Sequence, residues 1–585
     1  MVLTPPFVLL DDARPGGAGA RLYHGSCSPI RAKGPQSVAK ALATLRIHHD
    51  HNMHLAGFMT YEAAAGLADR AATHAAPEPC LWFGAFGHCD AQVDVEALLP
   101  DPASAWAGVP RPRVSRGEYE SHFARVAEYI QAGDIYQANL TFRADVPFAG
   151  HPAALYALLR RRAGAGHGAL VATGEQWILS FSPELFFMTD DNGDLVARPM
   201  KGTARRGATP AEDEALAASL SSDPKQRAEN LMIVDLMRND LSRIADPGSV
   251  RVPELFRVEQ YPTVHQMVST VIATPRDDIG AVEALAALFP CGSVTGAPKL
   301  RAMEVIAEVE GGPRGIYTGA IGRIDPDGGM AFNVAIRTLT IEPGASSATL
   351  GLGSGVVADS TAEEEWEECL AKGAFVTSGE TAFDLIETMR FDPELGLPLL
   401  ERHLARMKAS AQAFGREFDR HAARNELQAA TFRLRTPARV RLLLAPSGAL
   451  AIGISPLPDT PDGPVTVAVR PHQVAPDDFR LLHKTSRRNI YARAPDAFET
   501  LYTDREGYLT EGSFTSLFVE REGVLVTPPL ARGLLPGVLR AQLLASGRAV
   551  EGDLTPGDLE NGFFIGNAVR GLVSAVTVAD RVPAG

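Results

Sequence analysis

The run Arg227-Ala228-Glu229-Asn230-Leu231-Met232-Ile233-Val234-Asp235-Leu236-Met237-Arg238-Asn239-Asp240 decides how the first part of the chain reads. It lies within 225–241, which reads as one long helix, and Asp246-Pro247-Gly248 supplies a firm turn after it. Upstream, 195–203 reads as a strand followed by a glycine turn. Downstream, 316–350 predicts β-hairpins punctuated by Asp325-Pro326-Asp327-Gly328-Gly329. The span 361–371 reads as a helix. Its glutamates follow Ser360-Thr361, and acidic side chains suit that end of the dipole. Further out, 81–86 predicts a buried strand with Gly87 as its stop, and Pro110 to Pro112 a surface connection. The span 118–132 predicts a helix with Phe123, Val126, Ala127 and Ile130 on one face, and 136–142 a strand.

The chain has 585 residues, 45% of them apolar and 22% charged, enough to bury substantial cores and exclude a wholly disordered protein. Its net charge of −14 lacks the basic excess of a nucleic-acid binder, so no nucleic-acid partner is expected. Five cysteines without a C-x-x-C pair suggest neither a zinc knuckle nor a disulfide scaffold. The N-terminus lacks a signal pattern and no apolar run reaches 18 residues, which predicts a soluble cytoplasmic protein without a membrane partner.

The pattern changes near Thr377-Ser378-Gly379. A new strand is predicted at 383–389, a turn and helix over 398–414, and strands at 438–444 and 465–469. Two domains are therefore expected, 1–376 and 380–585, in an α+β chain.

In the first domain Glu184, Lys201, Glu229, His265, Arg337, Glu365 and Glu368 stand out. Singly, Glu365 and Glu368 read as solvated helix residues, His265 as structural and Lys201 as a surface lysine. Read jointly with the long helical run, Gly292-Ser293-Val294-Thr295-Gly296-Ala297-Pro298-Lys299, and Gly351-Leu352-Gly353-Ser354-Gly355-Val356-Val357-Ala358-Asp359-Ser360, they carry more. Over about 50–375 this set resembles the chorismate-utilising enzyme family, in particular its aminodeoxychorismate-forming branch. The resemblance implies that family's fold, with Glu229 and Glu368 holding Mg²⁺ and Glu365 near by, oxygen ligands being what a hard ion prefers. It implies chorismate binding by Arg337, Gly353, Gly355, Tyr317, His265 and Thr295, with the planar fork of Arg337 gripping a carboxylate. Lys201 precedes Gly202-Thr203, where anthranilate-forming members usually carry Ala; family mechanism makes it the nucleophile, with Glu184 as the acid for the departing hydroxyl. Gln137 stands where isochorismate-forming members carry a water-activating Lys, and Gln cannot act as a general base. Cys291 reads as a packed thiol. Leu9-Leu10-Asp11-Asp12 only weakly matches the segment that binds tryptophan in relatives.

The second domain holds His483-Lys484-Thr485, Thr510-Glu511-Gly512, Leu535-Pro536-Gly537-Val538 and Gly566-Asn567-Ala568-Val569-Arg570-Gly571. Together these resemble the fold-type-IV pyridoxal-phosphate enzymes over about 380–580. The resemblance implies pyridoxal 5'-phosphate as cofactor, with Lys484 bonding its aldehyde and Glu511 at the pyridine nitrogen. Arg402 and backbone groups of Val538, Leu539 and Asn567 would hold the phosphate. Ser516 and Ala568 depart from the residues relatives usually carry at those places.

The two resemblances imply consecutive steps: amination of chorismate to 4-amino-4-deoxychorismate, then loss of pyruvate to give 4-aminobenzoate. No glutamine amidotransferase segment is apparent, so ammonia is expected from a separate glutamine amidotransferase subunit. A homodimer through the second domain is also expected. Three other readings stay open: a second domain that is a branched-chain or D-amino-acid aminotransferase, a first domain of the anthranilate-synthase kind, and a non-catalytic scaffold.

Overall fold

The computed structural model describes residues 3–76, 79–260, 264–459 and 461–578. The chain divides into two compact units, with the main division between Ser378 and Gly379. The second unit also takes in Asp101–Gly108 and Pro147–Leu155. Both units mix helices and strands, so the chain is α+β.

In the first unit the helix Pro224–Ser242 carries the quoted run. Asp223 caps it by accepting from the Gln226 amide, and Pro224 occupies the first turn, where no amide hydrogen is needed. Its Ile233, Val234, Met237 and Leu241 enter a core shared with Leu195, Ala197 and Val271. Each such side chain contributes roughly 1.5–3 kcal/mol by burial. That helix packs against antiparallel strands. Ala320–Ile324 and Met330–Val334 form the expected hairpin, and Val264–Ala273 pairs with Met200–Arg205. The helix Ala362–Gly373 begins at Thr361, whose hydroxyl accepts from the Glu364 amide.

Two local expectations change. Gly87 does not end its strand, which runs from Leu81 to Val93, because pairing with Ala20–Ala32 continues past it to Cys89 and Asp90. A cross-strand ladder outweighs one glycine's weak strand preference. Gly202 does not end a strand either; it sits inside Met200–Arg205 at φ 97°, where a side chain would be strained.

The second unit contains an antiparallel sheet of Leu385–Phe391, Ala438–Leu444 and Leu450–Pro456. Phe414 packs edge to face against both Phe383 and Phe479 beside it, with Leu404 and Met407 from the helix Leu400–Ala413. A second, mixed sheet of eight strands has Val465–Pro471 parallel to both Glu499–Thr503 and Gly571–Thr577. Among the described residues no helix is long and apolar enough to cross a membrane.

Candidate functional sites

In the first unit the Lys201 backbone is held from two sides. The Lys201 carbonyl accepts from Asn230 Nδ2 at 3.3 Å, and the Gly202 carbonyl from Gln266 Nε2 at 2.8 Å. Asn230 is oriented in turn by the Ser269 hydroxyl, which donates to its Oδ1 at 2.6 Å. The Lys201 amine lies 3.3 Å from Glu229 Oε2. It also lies against Gly355: a Cβ there would be 2.9 Å from Lys201 Nζ and 3.1 Å from Gln137 Nε2. Lys201, Glu229, Gln137 and Gly355 thus converge from four separate segments. Gln137 Oε1 is buried there without a hydrogen-bond partner, a state that favours a ligand donor.

Glu184 is buried, and the Ser293 hydroxyl donates to its Oε1 at 2.7 Å. Burial pushes its carboxyl up to about 7, against the pull of Ser293, Lys372 and Lys201. A carboxyl near 7 can hold a proton at neutral pH and release it, as a general acid must. Lys372, which sequence reading passed over, donates to the Gly353 carbonyl at 2.9 Å and pairs with Glu368 at 2.7 Å. Its signal was the i,i+4 spacing from Glu368 on one helix. Gly353 backs onto Leu140 and Thr141, where a Cβ would come within 2.8 Å of the Leu140 carbonyl oxygen.

Thr295, His265 and Glu365 make contacts within the protein. Thr295 turns its hydroxyl back to the carbonyls of Cys291 and Gly292. His265 Nε2 lies 2.8 Å from Asp213 Oδ1, and Asp213 is paired with Arg206. Tyr317 is buried, and Arg337 takes a left-handed backbone, φ 50°, with its carbonyl accepting from the Phe181 amide. Glu365 accepts from the Ser360 hydroxyl at 2.6 Å. Among the described residues Glu229, Glu365 and Glu368 do not form a three-ligand cluster. Glu229 and Glu368 keep an all-oxygen donor set of the kind a hard cation takes. Cys291 is a packed thiol, pushed up to about 12 by burial.

The second unit contains a cavity of about 430 Å³ between its two sheets. Lys484 lines it, and enclosure, helped by the nearby Arg406 charge, brings its amine down to about 7. Glu511 lines it too; burial raises its carboxyl to about 7. Glu511 Oε1 accepts from the Tyr491 hydroxyl at 2.7 Å and Oε2 from the Leu535 amide at 3.1 Å. Both oxygens keep a lone pair for a further donor.

Val538, Leu539 and Asn567 reach this cavity. Val538 and Leu539 open the helix Val538–Ala545, whose first amides have no side-chain cap. Such an end favours an anion. Gly537 lies close beside it: a Cβ would come 2.5 Å from Ser516 Oγ, which would have to turn away. Arg402 does not line the cavity; its Nε donates to Gln542 Oε1 at 2.8 Å. Arg406, one turn further on, does line it and is steadied by Glu387 at 2.7 Å. His403 and Arg406, three apart, share the face that looks into the cavity, and Arg402 falls beside it. An enclosed lysine near neutrality, a buried carboxyl and an uncapped helix start fit pyridoxal phosphate in donor chemistry and space.

The family model for chorismate binding enzymes matches residues 5–378, and that for class IV amino-transferases matches 384–578. Aminodeoxychorismate synthase component 1 of Klebsiella aerogenes is 44% identical over 269 residues, 46% of this chain and 58% of that one. Aminodeoxychorismate synthase of Streptomyces griseus is 46% identical over 245 residues, 42% of this chain and 34% of that one. The chain therefore spans 58% or less of the length of these two curated relatives. The menaquinone-specific isochorismate synthase of Escherichia coli, 18% identical, has the same fold, with a TM-score of 0.50 over 64% of this chain and 88% of that one. The chain belongs to the chorismate-binding enzyme family and continues into a class IV amino-transferase domain, a domain type that implies pyridoxal phosphate.

Proposed function

We propose that the chain makes 4-aminobenzoate from chorismate in two steps, the first unit aminating C4 and the second removing pyruvate. The observation that carries the first step is the Lys201 amine set between Glu229, Gln137 and Gly355. A lysine so placed can act as a nucleophile on a bound ring, and Glu184 can protonate the departing hydroxyl. Ammonia then adds at C4 and expels the lysine. Gln137 cannot activate water, which keeps hydrolysis slow. Glu229 and Glu368 would hold Mg²⁺ at the substrate's ring carboxylate. The component 1 relatives support a separate glutaminase partner as the ammonia source. We place the enzyme in the cytoplasm, with a homodimer formed through the second unit.

For the second step, pyridoxal phosphate supplies an electron sink for carbon–hydrogen cleavage. Glu511 would keep the ring nitrogen protonated and Lys484 would move the proton. Arg406 and the start of the helix Val538–Ala545 would hold the phosphate. Six arginines line this cavity, Arg406, Arg439, Arg441, Arg488, Arg493 and Arg570, against the single carboxylate of Glu511. That excess suits a substrate with two carboxylates better than a branched aliphatic amino acid. The test is incubation with chorismate, ammonium, Mg²⁺ and pyridoxal phosphate, with products identified by mass. 4-Aminobenzoate and pyruvate are expected. Anthranilate in their place would overturn the first step, and lasting 4-amino-4-deoxychorismate the second.

A further inference from the structure

We propose a separate transition-metal site on the first unit, formed by His24, His88 and Asp90, that takes a borderline divalent ion of the zinc class. The ladder between Ala20–Ala32 and Leu81–Val93 sets His24 directly opposite His88 and Leu22 opposite Asp90. His88 and Asp90 are two apart in one strand and share its face, and the cross-strand partner of His88 shares that face as well. All three side chains therefore meet on one side of the sheet. Pairing shifts register just after His24, between His24 and Cys27. Such an irregularity re-aims side chains at the place where it occurs.

The donor atoms are gathered. Asp90 Oδ2 lies 2.8 Å from His24 Nε2, and Asp90 Oδ1 lies 2.8 Å from His88 Nε2. The two imidazole rings meet edge to face, with centroids 5.4 Å apart. One ligand atom from each residue falls within 4.8 Å of the others, and among the described residues this is the one such set of three. Two imidazole nitrogens and one carboxylate oxygen make a set that suits Zn²⁺, Co²⁺ or Ni²⁺ and disfavours Mg²⁺. The side chains are 26%, 64% and 36% exposed, so an ion can enter and keep water at its open positions.

Binding moves one hydrogen within each imidazole ring, from Nε2 to Nδ1 by way of solvent. In the hydrogen-bonded arrangement each Nε2 presents its hydrogen to Asp90. With the ion present, each Nε2 lone pair turns to the metal and the ring hydrogen resides on Nδ1. No oxidant, reductant or further reactant is needed. The ion would tie two long strands together, far in ligand type from the all-oxygen set of Glu229 and Glu368.

The experiment uses the full chain, stripped with a chelator and dialysed, and titrated with Co²⁺ while the visible absorption bands are followed. Zn²⁺ is then added as competitor, with Mg²⁺ as a control. One equivalent of Co²⁺ should give bands of a low-coordinate nitrogen–oxygen site, displaced by Zn²⁺ and untouched by Mg²⁺. His88→Ala and Asp90→Asn, both at accessible positions, should weaken binding at least tenfold with circular dichroism unchanged. Zn²⁺ should also raise the thermal midpoint of the wild type and leave that of His24→Ala/His88→Ala where it was. Undiminished binding in that double variant would overturn the site and move the ion elsewhere, for instance to His48, His49 and His51. Co²⁺ that keeps the spectrum of the hydrated ion with the wild-type chain would also overturn it.

Discussion

The Lys201 amine lies 3.3 Å from Glu229 Oε2, across a gap between a strand and the long helix. The helix residue next to Glu229, Asn230, holds the Lys201 carbonyl. Helix and strand therefore fix both ends of the same lysine. Lys201→Ala should abolish most chorismate amination and leave the far-ultraviolet dichroism unchanged. Intact mass of a slow variant such as Glu184→Gln, quenched with chorismate present, should show a substrate-sized increment that digestion maps to Lys201. Full amination by Lys201→Ala would remove the lysine from the chemistry.

Gly355 makes a sharper claim about the same amine. A methyl group there would meet Lys201 Nζ at 2.9 Å and Gln137 Nε2 at 3.1 Å. Both are ends of flexible side chains, so the fold tolerates Gly355→Ala while the amine moves. We expect amination to fall at least tenfold with a thermal midpoint within a few degrees of wild type. Misplacement of a reacting group by even about 1 Å costs about a hundredfold in rate. Wild-type turnover in Gly355→Ala would show that the amine need not sit there.

Glu184 predicts a pH limb. Burial raises its carboxyl to about 7, so its acid form is present below that pH and lost above it. Amination that depends on this proton should decline as pH rises through about 7. Glu184→Gln should be slower and should lack that limb. An alkaline limb of the same midpoint in the variant would assign it to another group.

Lys484 and Glu511 give stability effects of opposite pH dependence. The Lys484 amine is near 7 in the fold and 10.5 in free chain, so below about 7 the fold bears the full cost of burying this group. That cost disappears as pH rises from about 7 towards 10.5, because the unfolded chain then loses its proton too. Glu511 is near 7 in the fold and 4.5 in free chain, so its cost grows from 4.5 and is complete above about 7. In the cofactor-free protein Lys484→Met should stabilise most at pH 6, by at most about 1.4 kcal/mol for each tenfold loss of proton affinity that the amine suffers on folding. Glu511→Gln should stabilise most at pH 8. Urea unfolding at the two pH values reads both, and equal gains at both would contradict the assigned burial.

Sequence reading found Lys201, Glu229, Gly355 and Lys484 because each sits in a contiguous run of distinctive residues. It could not see side-chain direction. Thr295 lies in such a run yet bonds its own turn, and Arg402 lies one turn from the arginine that enters the cavity. Tyr491 and Ser293 act through hydrogen bonds to carboxyls 20 and 109 residues away, which no local spacing encodes. Strand ends were misjudged where pairing outweighs glycine, as at Gly87. The helices at 224–242 and 362–373 were both legible, the second from its cap.

The two units should be chemically separable. Lys484 lines a cavity built wholly from residues of the second unit, whereas Lys201, Glu229, Gln137 and Gly355 belong to the first. Lys484→Ala removes the group proposed to move the proton and leaves the cavity walls intact. Release of 4-aminobenzoate and pyruvate should fall at least a thousandfold. Consumption of chorismate should stay at the wild-type rate, because none of its residues is touched. 4-Amino-4-deoxychorismate should then accumulate in step with the chorismate lost. Lys201→Ala should do the reverse, blocking chorismate consumption while added 4-amino-4-deoxychorismate is still converted. A chromatographic time course of the wild type and both variants, with chorismate, ammonium, Mg²⁺ and pyridoxal phosphate, distinguishes the outcomes. Unchanged 4-aminobenzoate from Lys484→Ala, in a preparation free of host lyase, would overturn the assignment of the second step to this cavity. Loss of chorismate consumption in the same variant would instead show that the first unit depends on the second.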